Sequence, residues 1–349
     1  MSPLLLFIFL SALGLGTTIT FTSSHWFMAW MGLEINTLAI IPLMTFQPHP
    51  RAVEATTKYF LIQATAAAVL LMATTTNAWF SGEWNINCLT HTPSIIMATL
   101  ALTMKIGIAP LHLWLPEVMQ GLNLFTALIL ATWQKLAPII LLIQISPKPC
   151  TTLMTLGLLS VLVGGWGGLN QTQIRKLMAY SSIAHMGWIL SIMSFSPHLA
   201  LLALLTYILM TMTTLLSFKL NKSMKISILA LTWSKNPTLA LIIMLTLLSL
   251  GGLPPLTGFM PKLLILTELI YQDLPLFATL MALTALLSLF YYLRLCYIIL
   301  LTTSPNTNQA KTPWRLTPNT KSMMIALTSA LSTALLPFTP LLLVLTMPH

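Results

Sequence analysis

An apolar run of about 20 residues, the length that carries an α-helix through the hydrocarbon core of a bilayer, recurs from one end of this chain to the other. Such runs fall approximately at residues 3–21, 26–46, 57–80, 94–118, 123–145, 151–169, 173–195, 197–218, 237–271, 274–301 and 322–346 of the 349. Backbone groups facing lipid need partners within their own segment, so the runs read as helices. With 56% hydrophobic and only 6% charged residues, little is left for a soluble domain. Only the connectors at 219–235 and 302–321 are long. The expected fold class is an all-α polytopic membrane protein of eleven transmembrane helices. The opening MSPLLLFIFLSALGLGTTIT reads as the first span rather than a cleaved leader, since no basic region precedes the apolar stretch.

Two runs contain residues that a helix does not carry through. Residues 104–117 read MKIGIAPLHLWLPE, and residues 251–262 read GGLPPLTGFMPK. Aligned without gaps, Gly107 meets Gly252, Pro110 meets Pro255, Leu111 meets Leu256 and Pro116 meets Pro261. Proline has no N–H and clashes with the preceding turn, so Pro110 is expected to break the fourth helix and Pro255 the ninth. Interrupted spans at matching positions mark a transporter built from repeats. The breaks lie five helices apart, and an odd number reverses direction. Two inverted five-helix repeats are therefore expected, helices 1–5 and 6–10, with an eleventh appended. The corresponding domains are 1–145, 146–301 and 302–349.

Numbering the loops alternately puts Arg51, Lys58, Arg175, Lys176, Lys219, Lys222, Lys225, Lys235, Lys311, Arg315 and Lys321 on one face, and Lys148 with Glu83 and Asp273 on the other. Basic loops stay inside, so the N-terminus is expected on that face and the C-terminus opposite. The same distribution accounts for the net charge of +10 without nucleic acid as a partner. Cys88, Cys150 and Cys296 are scattered, with no C-x-x-C spacing. No Gly-rich phosphate loop and no haem or flavin motif occurs, so no redox centre, metal or cofactor is expected in this chain.

Removing loop charges leaves Glu34, Lys105, Glu117, Lys135, Lys262, Glu268 and Arg294 inside or bordering apolar spans. A charge at the centre of a lone helix costs about 2.5–3.5 kcal/mol on insertion scales, and such residues mark ion pathways by default. Glu34, Lys105, Lys135 and Lys262 are the candidate proton relay. The alternative is a set of buried structural pairs that hold the helices in register. Lys262 follows Pro261 at the start of the half-helix beyond the second break, where the positive end of the dipole disfavours an ammonium. His112 follows Pro110 by two residues, and His185 lies mid-helix after Ser181 and Ser182. Both are further relay candidates, or else hydrogen-bonded packing residues. Glu117 and Glu268, near helix ends, read as solvated or paired structural groups. Arg294, after Tyr291 and Tyr292, reads as an interfacial anchor.

The segments WMGLEIN around Glu34, KIGIAPLHLWLPE around Lys105, TWQKLAPI around Lys135 and LSLGGLPPLTGFMPK ending in Lys262 carry a resemblance over essentially the full length. They resemble the subunit 2 family of mitochondrial NADH:ubiquinone oxidoreductase, respiratory complex I, which is similar to cation/proton antiporter subunits. The chain departs from the bacterial form by lacking its first helices, as the animal form does. The resemblance implies that Glu34 and Lys105 form a charge pair, that Lys135 is the central relay, and that Lys262 is the distal lysine on the second broken helix. It implies the mitochondrial inner membrane, with basic loops and N-terminus in the matrix and the C-terminus in the intermembrane space. Other membrane-arm subunits are the implied partners, in a bilayer of which cardiolipin is a candidate component. The implied activity is that of a subunit of a proton-translocating NADH:ubiquinone reductase, inactive alone, with NADH, FMN, iron–sulfur clusters and ubiquinone handled elsewhere in the complex. Two other classes fit the same residues. A stand-alone sodium/proton antiporter would exchange ions alone in vesicles, and a structural arm subunit would pass on an electrostatic signal without exporting protons.

Overall fold

The computed structural model describes residues 3–46, 49–145, 151–301 and 322–339. Along them run the helices α1 (Pro3–Thr22), α2 (Trp26–Met44), α3 (Pro50–Ser81), α4 (Thr92–Ile106), α5 (Trp114–Gly121), α6 (Leu124–Ile145), α7 (Thr151–Gly168) and α8 (Ile174–Met193). They continue as α9 (Pro197–Leu220), α10 (Ile226–Ala230), α11 (Thr232–Lys235), α12 (Pro237–Gly251), α13 (Phe259–Tyr271), α14 (Pro275–Leu301) and α15 (Ser322–Ala334). Pairing between extended segments among the described residues is limited to the isolated bridges His25–Asn85 and Gln173–Lys225. Seven described helices, α1, α2, α3, α6, α7, α9 and α14, are long and apolar enough to cross a membrane. The interrupted runs at 94–118 and 237–271 are each two helices, α4 with α5 and α12 with α13.

The chain divides into two compact units, Met1–Gly157 and Leu158–His349. In the first, α1 and α2 approach at Gly16 and Gly32. A Cβ on Gly32 would meet the Thr20 methyl at 2.6 Å and the Gly16 carbonyl at 2.8 Å, and one on Gly16 would overlap the Asn36 amide. Small residues one turn apart permit this crossing in lipid, where apolar burial gives no driving force. α3 packs on α4 and α5, while α6 packs on α4, α1 and α2. The polar side chains of Asn36, Gln63, Lys105 and Lys135 are buried in this unit. In the second unit α9 lies against α8, α12, α13 and α15, and α14 covers α12 and α13.

Several boundaries differ from those expected. α3 begins at Pro50 rather than residue 57, because Pro50 takes the first turn and the His49 Nδ1 accepts from the Arg51 N–H at 3.2 Å, a cap with proline just inside it. Arg51 and Lys58, counted above as loop charges, therefore stand on helix. The connector at 219–235 holds the short helices α10 and α11. α15 stops at Ala334 before the 3-10 turn Leu336–Phe338, where Pro337 lacks the N–H that a continuing helix needs. Lys148, Cys150, Lys311, Arg315, Lys321 and the expected end of the last span at 340–346 lie outside the described residues.

Candidate functional site

α4 stops at Ile106 because Gly107 adopts φ 84° and ψ 50°, the left-handed region that glycine enters without a Cβ penalty. The Gly107 N–H bonds the Thr103 and Met104 carbonyls at 3.0 and 3.2 Å, and the Ile108 N–H bonds Thr103 at 3.1 Å. These bonds form a Schellman end. α12 ends in the same way. Gly252 adopts φ 81° and ψ 41°, its N–H bonds Leu248 and Ser249 at 3.1 and 2.9 Å, and the Leu253 N–H bonds Leu248 at 3.3 Å. The glycines end both half-helices. Pro110 and Pro255 come later, in the connecting loops, each after a cis peptide bond. The expectation that the prolines make the breaks is corrected accordingly.

A half-helix leaves its last carbonyls without intrahelical donors, and within a membrane they need other partners. In the first unit the Trp114 indole donates to the Met104 carbonyl at 3.2 Å, and the Gln63 amide to the Lys105 carbonyl at 3.3 Å. In the second unit the Lys262 ammonium donates to the Gly251 carbonyl at 2.9 Å. Lys262 thus carries its charge back across the break to the C-terminal end of α12. There the dipole end is negative and attracts a cation, opposite to the field expected from its adjacency to Pro261. Gly252 makes the room, since a Cβ there would meet the Lys262 Nζ at 2.9 Å and Cδ at 3.0 Å.

Lys105 and Lys135, from α4 and α6, are 6% and 4% exposed and line one cavity of about 20 Å³ together with Asn36, Tyr59, Gln63 and Gln134. That is about the room one water molecule requires. The Lys105 ammonium is buried and has no hydrogen-bond partner. Half-buried Glu34 on α2 accepts from the Thr37 hydroxyl at 3.3 Å. Among the described residues the side-chain ion pairs are those of Lys58, so Glu34 and Lys105 are not in ion-pair contact. The charge pair that the resemblance implies is thus not a contact pair in the structure.

In the second unit Lys262 and His185 share another cavity of about 20 Å³, with Thr206, Met210 and Pro261 on its wall. The His185 ring lies 5.5 Å from that of Tyr207. A wider apolar groove of about 400 Å³, lined by Lys262, Leu263, Leu266, Leu286 and Leu289, opens beside the break. His112 is 9% exposed in the loop of the first break. Its Nδ1 is 3.3 Å from the Pro110 carbonyl, and it does not line the cavity of Lys105 and Lys135. Glu117 on α5 pairs with Lys58 on α3 at 2.7 Å, and Glu268 accepts from Gln272 at 3.2 Å. Arg294 donates to the Leu169 carbonyl at 2.7 Å, so it ties α14 to the end of α7 where an interfacial anchor was expected.

Four residues on the first cavity, Asn36, Tyr59, Gln63 and Gln134, were not singled out in the sequence. For the three amides a signal was available: amides inside apolar spans need partners, and Gln134 directly precedes Lys135. Among the described residues no three His, Cys, Asp or Glu side chains converge to hold a metal ion. Each cavity instead joins a lysine to a second titratable side chain across the room for a water. In such a place a nearby charge decides which protonation state is favoured.

Residues 23–288, which contain both breaks and all six candidate relay residues, match the family model for the transmembrane region of the NADH:quinone oxidoreductase/Mrp antiporters. The chain belongs to this family. Residues 289–343 match the model for the NADH dehydrogenase subunit 2 C-terminus. Among family members, the NADH-ubiquinone oxidoreductase chain 2 of Carassius auratus is 60% identical over 347 residues, 99% of this chain and 100% of the relative. That of Squalus acanthias is 57% identical over 348 residues, again 99% and 100% of the two chains. Of solved structures, a chain of respiratory complex I from Thermus thermophilus superposes with a TM-score of 0.88 at 27% identity, covering 98% of this chain and 80% of that one. The Mrp complex from Dietzia sp. DQ12-45-1b gives 0.80 at 16% identity over 95% and 74% of the two chains, which shows the family's fold alone.

Proposed function

We propose that this chain is a membrane-arm subunit of respiratory complex I, in which NADH oxidation and ubiquinone reduction by other subunits drive proton translocation through Glu34, Lys105, Lys135 and Lys262. The observation that carries the reading is the cavity shared by Lys105 and Lys135, repeated in kind by the cavity of Lys262 and His185. Relatives named as chain 2 of NADH-ubiquinone oxidoreductase match over the full length, which supports the same assignment. A lysine held away from lipid beside water can take up and release a proton, and a change of charge at Glu34 alters the balance at Lys105 without moving it. His185 extends the relay at Lys262, while His112, off the first cavity, is assigned a minor relay or loop-fixing part.

The finer architecture belongs to the proposal. It comprises eleven spans, two inverted five-helix repeats at 1–145 and 146–301, and an appended helix within 302–349. The gap-free alignment of the breaks and the like glycine ends of α4 and α12 support it. Membrane placement with the N-terminus in the mitochondrial matrix, the side on which the basic loops would lie, and the C-terminus in the intermembrane space belongs to the proposal as well. Other arm subunits and anionic lipid are the partners, and the redox cofactors are held by other subunits. Native electrophoresis of the membranes tests the assignment. The chain should migrate with a very large NADH-oxidising assembly, whereas a free chain that exchanges sodium for protons in vesicles would make it an antiporter.

A further inference from the structure

We propose that Gln63 is the positioning residue that leaves Lys105 free to exchange its proton, an inference that rests on the relay reading above. At each break the last or next-to-last carbonyl of the first half-helix is held by a side chain, and at the first break the Trp114 indole holds the Met104 carbonyl besides. In the second unit that donor is the relay lysine itself, Lys262 on Gly251 at 2.9 Å. In the first unit it is a neutral amide from another helix, Gln63 of α3 on the Lys105 carbonyl at 3.3 Å. The two carbonyls stand one position apart when the breaks are aligned, so the task is the same and the donor differs.

The difference falls on the lysines. Lys262 spends its ammonium on the backbone, and the Lys105 ammonium has no hydrogen-bond partner although the residue is only 6% exposed. Uncapped carbonyls at the end of α4 would attract a cation, and Lys105 is the basic residue of that last turn. Gln63 removes this competition. It is itself 3% exposed and lines the cavity where Lys105 meets Lys135. An amide is suited to the task because it donates to the carbonyl and carries no charge that would compete with the influence of Glu34 on Lys105.

The test uses the assembled complex carrying Gln63→Met, which keeps length and apolar volume but removes the donor, and Gln63→Lys, which restores a donor with a charge. Protons translocated per electron and the pH dependence of pumping are measured, with Lys105→Met as a control. Gln63→Met should assemble, lower pumping by about three- to tenfold, the range that one lost hydrogen bond spans, and displace the pH profile of the pumping that remains. Gln63→Lys should likewise assemble and support quinone reduction, and it should not restore pumping. Wild-type pumping and profile in Gln63→Met, with Lys105→Met inactive, would overturn the role of Gln63 and leave the relay standing. Reduced amounts of complex with an unshifted profile would reduce Gln63 to a structural residue and equally overturn it. Full pumping in Lys105→Met would instead remove the relay reading on which the proposal rests.

Discussion

At the level of single residues, the burial of Lys105 and Lys135 was legible in the sequence because a charge inside an apolar run has few benign explanations, whereas Glu34 and Lys262 are half-buried. The partners of these residues were not legible. Lys105 has no contact with Glu34, and the residue that touches its carbonyl comes from 42 positions away, a distance that no local pattern spans. The direction of Lys262 was hidden for another reason. Sequence adjacency put it at the start of α13, but a flexible four-carbon stem lets the charge act where a carbonyl calls it. Glu34→Gln preserves the acceptor for Thr37 and removes only the charge. Assembly should stay at the wild-type level while pumped protons per electron fall several-fold. Normal pumping stoichiometry in that variant would make Glu34 a packing residue.

At the level of elements, the breaks were readable because glycine and proline recur at equal spacing, but the roles were misassigned between them. The helix ends at a left-handed glycine, and the prolines occupy loop that has already left the helix. Gly107→Ala and Gly252→Ala should each cost about 1–3 kcal/mol for a left-handed L-residue. Steric contacts add to this, at Leu115 Cδ1 (2.9 Å) for the first and at the Lys262 Nζ (2.9 Å) for the second. Both variants should leave the assembly at lower temperature on heated native gels. Pro110→Ala and Pro255→Ala should not rejoin the half-helices, and cysteines placed at His112 and Thr257, both buried, should label no differently than in the parent. Retention of both glycine variants at the parent's temperature, or altered labelling in the proline variants, would return the break to the prolines. The early start of α3 was also written in the sequence, as His49 before Pro50, and was obscured because Lys58 was counted as a loop charge. In the structure it ties α3 to α5 through Glu117.

At the level of the whole molecule, the apolar runs dictate a membrane fold, and the proposed orientation rests on the alternation of basic loops. The eleven spans proposed would put the termini on opposite faces. In mitoplasts, a tag at the N-terminus should resist protease and one at the C-terminus should be digested. Equal protection of both tags would mean that a span has been miscounted. Length alone does not give the count, since the broken spans are each two short helices and the last described α-helix ends at Ala334, before Pro337. The central claim, that protons pass by way of buried lysines in this chain, is tested most directly by the ratio of protons pumped to electrons transferred in assembled complexes carrying Lys262→Met. Met keeps the apolar stem and removes the charge that holds the Gly251 carbonyl. The account predicts normal amounts of complex with the ratio strongly reduced, and an unchanged ratio at an unchanged rate of NADH oxidation would contradict it.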